Sequence, residues 1–135
     1  MIKYDYKIRI PYVHVDRMGF VYHSHYIEYF DMARNEMMRS LGLSNKQLED
    51  EGIMLPVINV DIKYNMPAHY DDMLTVRVQL LELPGVMITF NYDVLRGEEI
   101  LCTGKVRLAF MHSDTKKACR PPKKLIDLLK KCGDF

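Results

Sequence analysis

Between Leu74 and Phe110 the chain alternates apolar and polar residues in three successive runs, and the gaps between the runs are too short to hold a helix. Leu74, Val76, Val78 and Leu80 alternate with Thr75, Arg77 and Gln79. Val86, Ile88, Phe90, Tyr92 and Val94 alternate with Thr89, Asn91 and Asp93. Ile100, Cys102, Gly104, Val106, Leu108 and Phe110 alternate with Thr103, Lys105 and Arg107. A period of two sends successive side chains to opposite faces, so each run reads as a strand with one buried and one solvated face. Parallel neighbours would need crossovers of a dozen or more residues. Arg96-Gly97-Glu98 suits a tight hairpin instead. The three runs therefore predict an antiparallel sheet whose apolar face needs a cover.

A cover is visible upstream. From Ser24 to Leu41 the period changes: Phe30, Ala33, Met37 and Leu41 recur at three- and four-residue intervals, while Glu28, Asp31, Arg34, Asn35 and Arg39 fall largely elsewhere. That pattern predicts a helix with a continuous buried stripe, ended by Gly42 in a left-handed cap. Before it, Tyr4 to Tyr12 places Tyr6, Ile8 and Ile10 on one parity, a half-buried strand that Pro11 ends or marks as an edge. After it, Ser44 and Gln47 form a capping-box pattern that starts a short second helix running through Glu51. Pro56 to Tyr64 reads as a strand with Ile58, Val60 and Ile62 on one face, and Asn65 to Asp72 as a loop. Arg120-Pro121-Pro122 precedes a final helix, Lys123 to Lys131, striped by Leu125, Leu128 and Leu129. The expected order is β-α-α-β-β-β-β-α. Its simplest layered solution is an α+β fold, one long helix against a highly curved antiparallel sheet of about five strands.

At 135 residues the chain is expected to form one domain, 1–135, and 48% hydrophobic against 27% charged residues excludes a disordered chain. A net charge of +1 gives no general reason to expect nucleic-acid binding. The last stretch is locally basic, with seven Lys or Arg from Met111 to Phe135 against three Asp. It reads first as a solvated helix face, with a phosphorylated ligand, a membrane surface or RNA as alternatives. The N-terminus is interrupted by charge, and no run of 18 apolar residues could span a bilayer. A cytoplasmic protein without an integral membrane segment is expected. Cys102, Cys119 and Cys132 match neither a redox pair nor a zinc-finger pattern, and Cys102 reads as a small buried apolar residue.

The link between the first strand and the long helix, Val15-Asp16-Arg17-Met18-Gly19-Phe20-Val21-Tyr22-His23, concentrates chemistry-bearing residues. Asp16 supplies a carboxylate, Gly19 a conformation that a side chain would forbid, and Tyr22, His23 and His25 cluster at the helix start, where unpaired amides and positive potential gather. Such a set suits a reaction in which negative charge develops on a carbonyl oxygen: amides polarise it, a carboxylate attacks or directs water, and an imidazole places a proton. A turn cap at Asp16 and hydrogen-bonded surface histidines would explain the same residues without chemistry. Metal ligation by His14, Asp16, His23 and His25 is not expected, because side chains two apart on a helix diverge and no HExxH pattern is present.

The run Tyr12-Val13-His14-Val15-Asp16-Arg17-Met18-Gly19-Phe20-Val21-Tyr22-His23-Ser24-His25-Tyr26, followed by Glu28-Tyr29-Phe30 and Ala33-Arg34, resembles the signature of hotdog-fold acyl-CoA thioesterases of the 4-hydroxybenzoyl-CoA thioesterase type, including the Tol-Pal-associated group. That signature runs roughly Y-x-D-x-D-x-x-G-x-V-Y-H-x-x-Y. A second similar block is Tyr64-Asn65-Met66-Pro67-Ala68-His69-Tyr70-Asp71-Asp72, and the resemblance covers almost the whole chain.

The resemblance implies a hotdog fold and an acyl-CoA thioester hydrolase. It implies Asp16 as nucleophile or as base for water, His23 as its assistant, and Tyr22, Ser24 and Gly19 where the loop and helix start contact the thioester carbonyl. It also implies homodimers or homotetramers with sites at subunit interfaces, and no cofactor. Met18, Phe20, Tyr26 and Tyr29 are candidates to line the acyl pocket, and Arg120, Lys123 and Lys124 to meet coenzyme A phosphates. The chain departs from the pattern at His14, where many relatives have Asp, at Arg17, and at His25, where Asn is more usual. Two other activities fit parts of the sequence: a hotdog-type 3-hydroxyacyl-thioester dehydratase using one of the histidines, and a non-catalytic acyl-CoA-binding or scaffolding protein.

Overall fold

The structure is a computed structural model that describes residues 1–135. Its elements are β1 (Ile2–Arg9), α1 (His25–Leu41), α2 (Asn45–Asp50), β2 (Ile53–Met54), β3 (Val57–Tyr64), β4 (Met73–Leu80), β5 (Met87–Arg96), β6 (Glu99–Ala109), β7 (Met111–His112) and α3 (Lys123–Cys132). Five strands form one sheet in the order β1-β4-β5-β6-β3, every neighbouring pair antiparallel. The three alternating runs are its centre, β4-β5-β6, joined by short turns.

The flanking strands are added from a distance. β1 pairs with β4 from Ile2 opposite Leu80 to Arg9 opposite Met73, and β3 pairs with β6 across a register shift between Val57 and Asn59. Two features differ from expectation. The first strand begins and ends earlier, because Pro11 lacks a ladder donor and Tyr12–His14 coils into a 3-10 turn. A two-stranded sheet of β2 and β7 was too short for any period to show.

The long helix lies across the sheet as the stripe requires. Tyr29, Phe30, Ala33 and Met37 are fully buried, and the ring of Phe30 stacks on Tyr92 of β5 with centroids 4.3 Å apart. Each large side chain so removed from water contributes about 1.5–3 kcal/mol. The close approach depends on Gly104 of β6, where a Cβ would stand 2.5 Å from Phe30 Cε2. Gly42 ends the helix in the left-handed region, and Ser44 and Gln47 complete the capping box that opens α2.

One core of 28 buried residues joins the sheet to all three helices. Cys102 belongs to it, and burial followed by the charge of Asp93 pushes its thiol up to about 12. No helix is long and apolar enough to cross a membrane. One helix against a five-stranded curved antiparallel sheet is the hotdog arrangement.

Candidate active site

After the 3-10 turn the chain doubles back on itself. Val15 bridges to Val21, the Asp16 amide donates to the Phe20 carbonyl at 2.9 Å, and the Gly19 amide donates to the Asp16 carbonyl at 3.0 Å. Gly19 sits at a φ of +84°, which this tight reversal requires. Asp16 Oδ1 accepts from the amides of Met18, at 2.9 Å, and Phe20, at 3.3 Å. One oxygen therefore caps the turn, as the bland reading of the sequence had it, while Oδ2 has no protein partner. The loop is tied down by the Val21 amide on the Ala68 carbonyl and the Tyr22 amide on the His14 carbonyl, both 2.9 Å.

At the start of α1, Ser24 stands as N-cap in helical conformation with no side-chain cap bond. The His25 amide donates to the Tyr22 carbonyl, but the amides of His23 and Ser24 have no acceptor within the protein. Two adjacent N–H groups at the positive end of a 17-residue helix are thus without a protein acceptor. The Tyr22 amide is already committed, so the amides free for a carbonyl are those of His23 and Ser24. Tyr22 keeps an exposed ring against the His23 imidazole, 4.3 Å between centroids. His23 makes no side-chain hydrogen bond, to Asp16 or to anything else; its carbonyl accepts from the Tyr64 hydroxyl at 3.0 Å.

Beside this loop opens a mainly apolar cavity of about 360 Å³, lined by Phe20, Val21, His23, Tyr26, Tyr64, Asn65, Met66 and Pro67. Tyr26 is almost fully buried, and its hydroxyl accepts from the Ala68 amide at 3.3 Å. A larger cavity, about 490 Å³, lies on the polar outer face of the sheet among Asp61, Lys63, Asn91 and Asp93 and contains none of the loop residues.

Four expected substrate contacts lie outside this cavity. Met18 is exposed on the loop and does not line the apolar cavity. Tyr29 is fully buried in the core with its hydroxyl on His14. Arg120 and Lys123 lie beyond the other end of α1, where Lys124 pairs with Glu51 after α2, separated within one protomer by a helix of ~25 Å.

The segment Tyr64–Pro67, part of the second block, was not singled out as site-forming. Its signal was a tyrosine ending a strand three residues before a proline. Arg96 clamps the same loop, with Nη1 on Asp72 Oδ2 at 2.8 Å and on the Pro67 carbonyl at 3.3 Å, and Nη2 on Glu99 Oε1 at 2.6 Å. Asp72 is held below the usual carboxylate range: burial pulls upward, and the His69 amide and Arg96 outweigh it.

The structure also joins residues that sequence spacing kept apart. His14 and His25 stack with centroids 4.0 Å apart and planes 9° from parallel. His14 Nδ1 shares a 2.7 Å hydrogen bond with the Tyr29 hydroxyl, and His25 Nδ1 a 2.9 Å one with Glu28 Oε2. Burial, then the neighbouring His25, holds the His14 imidazole below its ordinary pKa, against the pull of Glu28. Divergence of side chains two apart does not apply to this pair, because His14 comes from a different element.

Residues 11–129 match the family model of the thioesterase-like superfamily. The chain belongs to that superfamily. Among relatives of this thioesterase-like protein, the acyl-CoA thioesterase YbgC of Haemophilus influenzae is 28% identical over 90% of each chain. Among solved structures, a DHNA-CoA thioesterase from Staphylococcus aureus is 25% identical, with a TM-score of 0.91 over 97% of this chain and 91% of its own. A protein from Aquifex aeolicus is 28% identical, with a TM-score of 0.88 over 93% and 98%. This thioesterase-like protein is thus a hotdog-fold relative of the YbgC group, as its loop motif implies.

Proposed function

We propose that this thioesterase-like protein hydrolyses an acyl-CoA thioester to the free acid and coenzyme A at the loop between β1 and α1. The observation that carries the reading is the pairing, on one short loop, of a carboxylate with one oxygen unengaged and two adjacent amides without acceptors, those of His23 and Ser24. The thioester oxygen binds those amides, which stabilise the charge that forms as the carbonyl becomes tetrahedral; one such donor is worth about 3 kcal/mol of barrier. Asp16 Oδ2 then acts in one of two ways. As nucleophile it forms an acyl-aspartate while the C–S bond breaks, and water later cleaves the anhydride. As base it takes a proton from the water that attacks directly. In both, the thiolate leaves and is protonated, and His23 serves as the proton-placing partner.

The apolar cavity takes the acyl group. Relatives named as a DHNA-CoA thioesterase and a 1,4-dihydroxy-2-naphthoyl-CoA hydrolase favour an aromatic acyl group. Assembly belongs to the same proposal. Tyr12, Val13, Met18 and Tyr70 are all more than half exposed, and β3 leaves an unpaired sheet edge bearing exposed Val57 and Ile58. Apolar surface of this kind beside a site is the mark of a protein that buries it against a second copy. A homo-oligomer with the site at its interface follows.

The test is a thiol-release screen over acetyl, medium-chain, palmitoyl, benzoyl and bicyclic aromatic CoA esters. Stoichiometric free thiol and carboxylic acid support hydrolysis. Loss of water from a 3-hydroxyacyl ester without thiol would point to the dehydratase, and intact esters throughout to a binding protein.

A further inference from the structure

His14, from the turn after β1, and His25, the first residue of α1, lie ring on ring, and Glu28, one helical turn further, reaches His25. We propose that these three side chains form a binding site for one divalent transition-metal ion, of the Zn²⁺ or Co²⁺ class that imidazole and carboxylate donors suit. One donor atom from each lies within 4.8 Å of the other two. Donors about 2.1 Å from a tetrahedral ion stand ~3.4 Å from one another, so the His25–Glu28 pair, at 2.9 Å, opens slightly, the wider separations close, and the two stacked rings tilt to aim their nitrogen lone pairs at the ion. The torsions that carry imidazole and carboxylate groups are broad, and Glu28 is exposed on the helix, so these side chains can make the adjustment by rotation.

Two further observations support the assignment. The Tyr29 hydroxyl, fixed in the core, holds the His14 ring through Nδ1, as an outer partner does for a ligating histidine. Between His25 and Glu28 a hydrogen bond already brings nitrogen and carboxylate oxygen to 2.9 Å; an ion takes the place of the shared proton, which moves to Nε2 of a neutral ring or leaves a charged one. Stacked imidazoles repel when both are protonated, whereas one dication shared between them, partly neutralised by Glu28, leaves no like charges in contact. Three protein ligands leave a position for water or a small anion. The site does not depend on the hydrolase reading.

The experiment is a Co²⁺ titration of the full chain carrying Cys132→Ser, which removes the exposed thiol. The readouts are the visible d–d absorption of cobalt and the rise in Tm. The expected result is one equivalent per chain with the intense bands of a low-coordinate ion, displaced by Zn²⁺, weaker as pH falls through the imidazole range, and accompanied by a higher Tm. His14→Ala and His25→Ala each abolish the bands, and Glu28→Gln weakens binding about 10-fold, the scale on which a lost metal partner acts. Metal-free circular dichroism and Tm establish that each variant is folded; His14→Gln, which keeps a polar group toward Tyr29, replaces His14→Ala if that variant is not. Absence of saturable bands, equal bands in the His14→Ala/His25→Ala double variant, or unchanged affinity in Glu28→Gln would overturn the site.

Discussion

Replacing Asp16 by asparagine and by alanine separates the two jobs this side chain holds. Oδ1 caps the turn with two amide bonds, at 2.9 and 3.3 Å, and Oδ2 is unengaged. Asparagine keeps a carbonyl oxygen for the same two amides and loses the charge and the second oxygen, so the turn loses only the charge-assisted part of its bonds, about 0.5–1 kcal/mol. Alanine loses both bonds, which costs about 1–3 kcal/mol for amides in a partly solvated loop. Activity follows a different order. If Oδ2 is the reacting atom, both variants lose turnover by ~10²-fold or more, the scale of a positioned acid–base group. Denaturant unfolding and thiol release on the same preparations give both numbers. The expected pattern is an asparagine variant near wild type in stability and nearly inactive. Retention of most activity in Asp16→Asn would refute the assignment of chemistry to Oδ2, and equal destabilisation by asparagine and alanine would refute the capping geometry.

Gly104→Ala, whose new methyl would meet Phe30 at 2.5 Å in a fully buried stack, should destabilise by about 2 kcal/mol, roughly 7 °C in Tm, and Phe30→Leu added to it should recover part of the loss. The hydrogen bond from Arg77 holds Asp5 below the usual carboxylate range against the pull of burial, helped by the charges of Arg77, Lys3 and Lys7. Its contribution is therefore present above the unfolded carboxylate value and lost as pH falls through the lower folded one. Because the pair is partly exposed, Asp5→Asn should cost about 0.5 kcal/mol near neutrality and nothing once the pH is below that lowered folded value, as read from unfolding curves across pH. Cys132 should react with a thiol reagent at pH 8 within minutes, while Cys102, buried with its thiol pushed up to about 12, should react only on unfolding; a fast-reacting Cys102 would contradict its burial.

The parts of the fold that were readable in the sequence are those with a period. β4, β5 and β6 alternate over seven or more residues, and α1 carries its stripe for four turns, so side-chain order alone identifies them. The Ser44–Gln47 box and Gly42 are local devices whose geometry depends on a few neighbours, and they appear as expected. Strand order, by contrast, depends on which remote edge β1 and β3 join, and β2 and β7 are two residues each. In the site, Asp16 and Gly19 were readable because a turn imposes chemistry on its own residues. Which amide at the helix start is free depends on the His14 carbonyl, eight residues before Tyr22, and that pairing has no signature in spacing. The contact of His14 with His25, and the wall formed by Tyr64 to Pro67, arise from packing between elements and were likewise silent.

The strand order has a consequence for how the chain comes to be folded while it is made. Residues of β1 find their partners on β4 some 70 positions later, and β3 must wait for β6. At a ribosomal pace of roughly 5–20 residues per second, the first strand and the long helix emerge and stand without their sheet for several seconds. During that interval the stripe of α1 and the edge of β3 are the most adhesive surfaces of the nascent chain. The β4-β5-β6 meander, closed by short turns, can assemble as soon as it clears the exit, and the earlier segments then dock on it. The half of the molecule that carries the loop between β1 and α1 is thus synthesised first and ordered last.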